Sequence, residues 1–597
     1  MAHRRPAEQV PAPAGAPSLP QDAAVHPSAA DAVDEPFTRA LAADLDRGVA
    51  VLLAGRAPAL SPLAHRETTA RLKALVTAFH HPASAHHHDL ALLEVADRVL
   101  AQLAAAQTAT GLFDSTNLAS PPDTAFTVND LCLTAQVAAR EPALADVVAG
   151  LRAVGERALP PLLTGGVHTP NHRWELSSAL ARLGALLGTP EAVRPRVEQW
   201  LAEGVDLQPD GMYSERSPLY AAAVTNPSLL VLADVLDRPD LLDPVRRNLE
   251  AFLPLLDPDG DVESVHSRRQ DQRTPGHPGG PFLLHYRRLA LEEDRPDFAA
   301  AARTLRSRGV DGRRDLPEVV VRPGLAAPLP PGPALAWEGT AAYPASGLVV
   351  SARGRTRTTV FGGSDQPAVR AVRSGTANSA TFLRVRHGEA LLRSVRLSTE
   401  FFGLGPFRSA VLEHGPGGVL VLRQSLRAGY YQPLAAADRA PDGAYPLGDE
   451  GRFHAAMAFE RRAVDEVELT TEITVGLVPD GADLTIRSTG AATSFALELT
   501  FRPGGTFEGV QEGPDGTRRL TGAQLRCTVG TDELVVGTDQ PAVGPGGGDG
   551  HDQPARFDPG EQYTYLGADD AATGEVVLVT GRTPGVRHLR VRGRSTA

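Results

Sequence analysis

The hydrophobic period of this chain changes once, and that change decides what it can fold into. From about residue 36 to 310, apolar residues recur at three- and four-residue spacing, as in FTRALAADLDRGVAVLLAG, DLALLEVADRVLAQLAAAQ and EPALADVVAGLRAVGERALPPLL. That spacing places them on one face of an α-helix. Gly, Pro, Asp and Thr separate the segments, and LLGTPEAV and VLDRPDLLD each set a stop before a helix-starting proline. Beyond about residue 339 the period falls to two. SGLVVSARGRTRTTVFGG, ATFLRVRHGEALLRSVRL and EVELTTEITVGLV are short alternating runs bounded by Gly, Pro and Asp. Between the two halves, RRDLPEVVVRPGLAAPLPPGPALAWEG is rich in Pro and Gly. A helix-period pattern does not settle as a strand, nor the reverse. The chain therefore reads as multidomain α and β: a disordered tail over 1–35, an α/α toroid over 36–313, a linker over 314–338 and an antiparallel β-sandwich over 339–597. The helical segments share no fixed repeat, which disfavours a solenoid and favours a curved or closed toroid of helix pairs.

Composition narrows the function classes. The net charge of −12 argues against wrapping nucleic acid. The two cysteines, Cys132 and Cys527, lie in different halves, so neither a disulfide framework nor a cysteine-rich zinc site is expected. No apolar run approaches the ~20 residues of a membrane span. The start, MAHRRPAEQVPAPAGAPSLPQDAA, has Arg4-Arg5 but no apolar stretch after them, so the expected compartment is the cytoplasm. HHPASAHHHD gathers His80, His81, His86, His87 and His88 with only Asp89 nearby and reads as a loop. GPGGGDGHDQPARFDPG is Gly-rich but lacks the Lys-Ser/Thr of a phosphate loop. No G-x-S-x-G occurs. No cofactor is expected, a structural divalent metal has no support in the sequence, and the oligomeric state is not legible.

Three polar clusters stand out in the helical half. In TPNHRWELSSALARLG (169–184), Asn171, His172, Arg173, Trp174 and Glu175 crowd one turn before a bland helix. Pro170 keeps Thr169 out of helical geometry, which makes Asn171 an N-cap candidate. Leu176, Leu180, Leu183 and Leu187 form the core stripe. Trp174 lies roughly 200° around the helix from Leu176, free to stack on a sugar. In QPDGMYSERSPLYAAAVTNPSLL (208–230), Tyr213, Glu215, Arg216 and Tyr220 follow a turn. In DPDGDVESVHSRRQDQR (257–273), Glu263, His266, Arg268, Arg269 and Asp271 follow another. Taken singly, each also reads as a turn or a solvated loop. Together they sit at helix ends of one toroid, where loops converge on one mouth.

Asn, His, Tyr and Arg together suit β-elimination on a uronic-acid glycan. Removing the weakly acidic C5 proton builds charge on the adjacent carboxylate, which an amide or Arg must stabilise. A His or Tyr takes the proton and a Tyr or His protonates the leaving oxygen. The architecture, with NHRWE on a toroid helix and DGMYSERSPLY about 40 residues later, resembles the heparinase II/III-like polysaccharide lyases. GLFDSTNLASPPDTAF (111–126) is similar to a substrate-cleft segment of a bacterial branch of that group, and HSRRQDQR to the arginine-rich segment of chondroitin and hyaluronate lyases. The resemblance implies that Asn171 neutralises the carboxylate, that His172 stands beside it and that Tyr220 is the catalytic tyrosine. The polar clusters and the 111–126 segment add Asn117, Asp123, Arg173, Trp174, Glu175, Tyr213, Glu215, Arg216, Arg268 and Arg269 as expected substrate contacts; the expected partner is an acidic polysaccharide or oligosaccharide, with no nucleic acid and no membrane. Many members place a catalytic or metal-binding histidine on an early sandwich strand. Here SGTANSATFLRVRHG offers Thr376 and Asn378 instead, leaving His172, His266 or Tyr220 for proton transfer. Two other readings stand beside the lyase: an inverting glycoside hydrolase using Glu175 or Glu215 with Asp123, and a glycan-binding protein without catalysis.

Overall fold

The computed structural model describes residues 32–55, 64–115, 117–274, 276–366, 375–513, 516–539, 557 and 573–596. Its helices are α1 (Glu35–Leu53), α2 (Ala64–His80), α3 (Ala91–Ala106), α4 (Pro121–Ala138), α5 (Ala145–Thr164), α6 (His172–Leu187), α7 (Pro190–Leu201), α8 (Pro218–Val235), α9 (Leu242–Phe252), α10 (Leu283–Glu292), α11 (Pro296–Ser307) and α12 (Gly312–Val321). Side-chain caps start several of them: Asp34 accepts from Phe37 N at 3.1 Å, Ser120 from Asp123 N at 3.2 Å and Asp311 from Arg314 N at 3.0 Å.

Alternate helices pack on one another. α2 lies against α4, α4 against α6 and α6 against α8, while α3, α5 and α7 lie outside them. The inner helices are buried nearly all round, which explains why α6 is mostly Leu, Ala, Ser and Gly rather than amphipathic. The ring closes where α12 packs on α1. A Cβ on Gly312 would fall 2.1 Å from the Leu41 carbonyl oxygen and 2.6 Å from Leu45 N, so only glycine permits that approach. Among the described residues α8 is the one helix long and apolar enough to cross a membrane by composition. It exceeds the sequence expectation in this, but it lies mostly buried as an inner helix of the toroid.

The second half begins with an antiparallel meander, β1 (Gly339–Tyr343), β2 (Leu348–Arg353), β3 (Thr356–Phe361), β4 (Leu383–His387) and β5 (Ala390–Thr399). It forms one side of a nine-stranded sheet that continues through Ser494–Phe501, Glu575–Arg582, Arg518–Leu520 and Val510–Glu512. Among the described strands, only the pairing of Arg518–Leu520 with Glu575–Arg582 is parallel. An eight-stranded sheet packs on its far face. Val349 and Val360 point into the core between the sheets, while Leu348, Val350 and Phe361 join the helical core. The meander is thus buried on both faces, between toroid and second sheet, and reads as continuous apolar runs such as LVV.

Two sequence expectations on extent need correction. The linker expected from residue 314 is helical until Val321, because Asp311 caps α12 and Leu316, Val319 and Val320 are buried. The end of the expected tail is ordered: Asp34 N donates to Ala326 O at 2.8 Å and its carboxylate accepts from Arg306 at 2.7 Å. Nearly all of the Gly-rich loop 544–560 lies outside the described residues.

Gly312→Ala forces α1 and α12 apart, an overpacking expected to cost about 1–3 kcal/mol. The thermal midpoint of the helical circular-dichroism signal should fall by several degrees. An unchanged midpoint would mean that ring closure tolerates a wider gap than the geometry allows.

Candidate active site

Four inner helices begin at one mouth. Arg66 heads α2, Asp123 heads α4, Asn171 and His172 head α6, and Tyr220 heads α8. Asp123 accepts from the Arg66 guanidinium and, at 2.9 Å, from Asn117 Nδ2. Arg66 Cζ lies 3.8 Å from the centroid of the Phe126 ring. Arg66 is within electrostatic reach of Glu175 and Tyr220, and His172 within reach of Asp123, Arg269 and Arg66. The aligned N-termini direct the positive ends of four helix dipoles at this mouth.

Local structure around Tyr220 is unusual. Arg216 sits at φ +51°, Ser217 Oγ caps α8 by accepting from Tyr220 N at 3.1 Å, and a π-turn follows at Ala221–Thr225. Such turns mark functional sites more often than ordinary helix. The loop 263–274 then closes over it. Arg269 pairs with the buried Glu215 carboxylate, donates to Tyr220 Oη at 3.0 Å and stacks 4.1 Å from its ring centroid. Gln270 Nε2 donates to the same Oη at 2.9 Å. Asp271 accepts from Ser217 Oγ at 2.7 Å and Leu219 N at 3.1 Å.

Asn171 does not cap its helix. Its backbone is already helical (φ −65°, ψ −26°), and its Oδ1 accepts instead from Thr169 Oγ1 at 2.7 Å. Its Nδ2 is buried with no partner among the described residues, as are His172 Nδ1, Arg66 Nε, Arg269 Nε, Gln270 Oε1, Thr376 Oγ1 and both amide atoms of Asn378. Buried polar groups are nearly always paired, by protein or by water, so these atoms have hydrogen-bonding capacity that a ligand or water can take up.

Titration follows burial. Burial, with His168 next, pushes the His172 imidazole down to about 3, so it is neutral. Burial pushes Glu215 up to about 6 against the pull of Arg269. Burial also pushes Glu175 up to about 7, against hydrogen bonds from Asn129 (2.8 Å) and Ser228 (3.2 Å) and the Arg66 cation. Burial would raise Asp123 too, but Asn117 and Arg66 hold it below the usual carboxylate range.

Several expected substrate contacts are placed elsewhere. Trp174 is fully buried, with Nε1 donating to Asp206 at 3.2 Å, because an inner helix has no face left for a sugar. Arg173 stacks on that indole and pairs with Glu203 (2.9 Å) and Asp206 (3.2 Å). Tyr213 is buried and donates to Asn226 at 2.8 Å. Arg216 and Arg268 face the sandwich: Arg216 donates to the carbonyls of Gly363 (3.1 Å) and Ala345 (2.7 Å), and Arg268 grips Asp365 at 2.8 and 2.9 Å. His266 lies fully buried near Arg216 and Arg384, pushed down to about 3 by burial and then by those cations, with neither ring nitrogen paired. Its charged neighbours, Arg216 and Arg384, stand where the toroid meets the sandwich. Asn117, Asp123, His172, Glu175, Glu215, Tyr220 and Arg269 are linked by hydrogen bonds, ion pairs or electrostatic reach, several of them through Arg66, and Asn171 precedes His172 in the chain. Sequence reasoning missed Arg66, Phe126, Asn129, Ser228 and Gln270. One signal for Arg66 was present, since AHRE at 64–67 echoes NHRWE at 171–175. Thr376 and Asn378 stand where the resemblance places a metal-binding histidine, and among the described residues no three His, Cys, Asp or Glu side chains group as metal ligands. The residues do not fit a zinc there.

No protein-family model matches this chain, and no characterised protein matches it in sequence. Solved structures do match. Heparinase III aligns over 89% of this chain and 77% of its own, with TM-score 0.54 and 12% identity. The Streptomyces coelicolor A3 chondroitin AC lyase in complex with chondroitin sulphate aligns over 96% and 79%, with TM-score 0.51 and 14% identity. Paenibacillus xanthan lyase aligns over 94% of this chain and 57% of its own, with TM-score 0.52 and 10% identity. At these identities the likeness is one of fold: an α/α toroid followed by an antiparallel β-sandwich, the architecture on which those polysaccharide lyases are built.

An acid whose pKa is higher folded than unfolded adds stability that is complete below its ordinary value and lost as pH rises through the folded one. For Glu175 that window runs from 4.5 to about 7. Glu175→Gln should flatten the pH dependence of the thermal midpoint across this window and gain stability at pH 8, on the order of 2–3 kcal/mol. A variant curve parallel to that of the wild type would show Glu175 to be ionised at neutrality.

Proposed function

We propose that this chain is a polysaccharide lyase that cleaves a uronic-acid glycan by β-elimination. The carrying observation is Tyr220: its hydroxyl oxygen accepts from both Arg269 and Gln270, while no described residue accepts its own proton. Two donors, one a guanidinium, fix the oxygen and face the charge that it carries during proton transfer. The unpaired amide of Asn171 then takes the substrate carboxylate, which lowers the cost of C5 deprotonation. Tyr220 phenolate accepts the C5 proton, the C4–O bond breaks as the C4–C5 double bond forms, and the resulting phenol protonates the leaving oxygen. The proton returns with the leaving group, so no external acid, base or cofactor is consumed. Neutral His172 hydrogen-bonds the sugar in this reading, since an imidazole pushed down to about 3 is a feeble base. The fold shared with heparinase III, chondroitin AC lyase and xanthan lyase supports the same conclusion. A hydrolase would need an acid and a water-activating carboxylate facing each other across a sugar, whereas Glu175 and Glu215 are buried and held by Asn129, Ser228 and Arg269.

The test is appearance of the unsaturated, near-ultraviolet-absorbing product from a panel of heparan sulfate, chondroitin sulfate, hyaluronan, xanthan, alginate and polygalacturonate. On the polymer that reacts, Tyr220→Phe should lower kcat by about 10²–10⁴-fold with little change in KM. Asn171→Ala should cost about 10²–10³-fold, with no helix-cap loss, because its side chain does not cap. A Tyr220→Phe rate near that of the wild type would remove the tyrosine from this role.

A further inference from the structure

We propose that the mouth of the toroid holds a second anion subsite, built on Arg66 and distinct from the Asn171 amide, which takes a sulfate or carboxylate on the sugar next to the one cleaved. The proposal rests on the lyase reading above. Arg66 is fixed before any ligand arrives. Its guanidinium lies on the Phe126 ring at 3.8 Å and Nη2 is bound to Asp123. A guanidinium held on both face and edge loses little freedom when it binds an anion. Yet only one of its three nitrogens is used. Nε is buried without a partner, Nη1 bonds no described residue, and the side chain keeps 27% of its surface exposed.

The ion pair with Asp123 does not account for the site. Asp123 is already served by Asn117 Nδ2, and burial of an arginine nitrogen without a partner is costly unless something fills it. Arg66 also comes from α2, a different helix from those that carry Asn171 and Tyr220, yet stands within electrostatic reach of Tyr220 and His172. The carboxylate at the reacting sugar belongs to Asn171, so Arg66 addresses another group. Because Asp123 balances Arg66 and Glu215 balances Arg269, the cations offer geometry more than net charge. An oxyanion with two or more acceptor oxygens fits the N–H groups left free on the guanidinium, and the four converging helix N-termini favour it further. A neutral neighbouring sugar offers only uncharged hydroxyl or amide acceptors, so it gains less from the guanidinium than an oxyanion does.

Wild type, Arg66→Gln and Arg66→Lys are compared on three polymers: hyaluronan, whose neighbouring sugar is neutral, chondroitin sulfate, whose neighbour carries sulfate, and polygalacturonate, whose neighbour carries carboxylate. Arg66→Gln should lose roughly ten- to hundredfold more kcat/KM on an anionic-neighbour polymer than on hyaluronan, mostly through KM, and Arg66→Lys should recover part of the difference. A selective loss on chondroitin sulfate assigns the subsite to sulfate, and one on polygalacturonate to carboxylate. Equal losses on all three polymers, or a wild type that prefers hyaluronan, overturn the subsite. If Arg66→Gln does not fold, Phe126→Leu, which removes the platform, makes the same comparison. If no polymer yields unsaturated product, the lyase reading falls, and affinity electrophoresis in gels containing the same polymers decides the subsite separately. Retardation by an anionic-neighbour polymer that Arg66→Gln loses sustains it, and equal mobility of variant and wild type refutes it.

Discussion

The loop 263–274 is the piece on which the rest depends, because both halves of the molecule hold it. From the sandwich, Arg384 pairs with Glu263, Asp365 takes both ends of Arg268, Thr376 O accepts from Gln272 Nε2 at 3.1 Å and Asn378 N donates to Gln272 Oε1 at 2.8 Å. From the toroid, Ser217 Oγ and Leu219 N donate to Asp271, and Glu215 and Tyr220 Oη accept from Arg269. The Arg384–Glu263 and Arg269–Glu215 pairs are buried. Breaking such a pair by removing one partner costs about 3–5 kcal/mol, since the other charge stays behind unpaired. Neither half alone would place the tyrosine hydroxyl. The sandwich is therefore part of the site through its grip on this loop, even though it contributes no histidine there.

The toroid's contribution is preorganisation under strain. A non-glycine residue at φ +51° costs on the order of 1–3 kcal/mol, and Arg216 is held there by its two hydrogen bonds to sandwich carbonyls. The π-turn after Tyr220 departs from regular helix within an otherwise well-packed element. These costs sit beside the proposed chemistry and are offset at the interface between the halves. The same burial that builds the inner ring also sets the charges. Glu175 is pushed up to about 7 and Glu215 to about 6, His172 is pushed down, and Asp123, with two donors, is held low. Asp123 faces Arg66 and Glu215 faces Arg269, so the mouth is close to electrically balanced, and the converging helix N-termini tip it towards anions.

Much of the architecture was legible because periodicity is a local property. The switch from period 3.6 to period 2, the caps at Asp34, Ser120 and Asp311 and the turns before each polar cluster are written in neighbouring residues, and they predict helices, strands and helix ends without any knowledge of the fold. Part of the site was legible for the same reason: Asn171, His172, Tyr220 and Arg269 are polar residues at helix ends, where a packed core does not need them.

What tertiary structure alone decided is which of these residues are free. Trp174, Tyr213, Arg173, Arg216, Arg268 and His266 have the same chemistry as the residues at the mouth and lie beside them in sequence, yet packing assigns them to the core or to the sandwich interface. Inner helices of a toroid are enclosed by neighbours from distant sequence, so the angle around one helix does not tell what faces it. Arg66 was hidden for the converse reason. It lies more than 50 residues from any other member of the group, and only the closing of α2 against α4 brings its guanidinium onto Asp123 and Phe126. Sequence specifies each turn from its own few residues. The juxtaposition of four turns is a property of the closed ring.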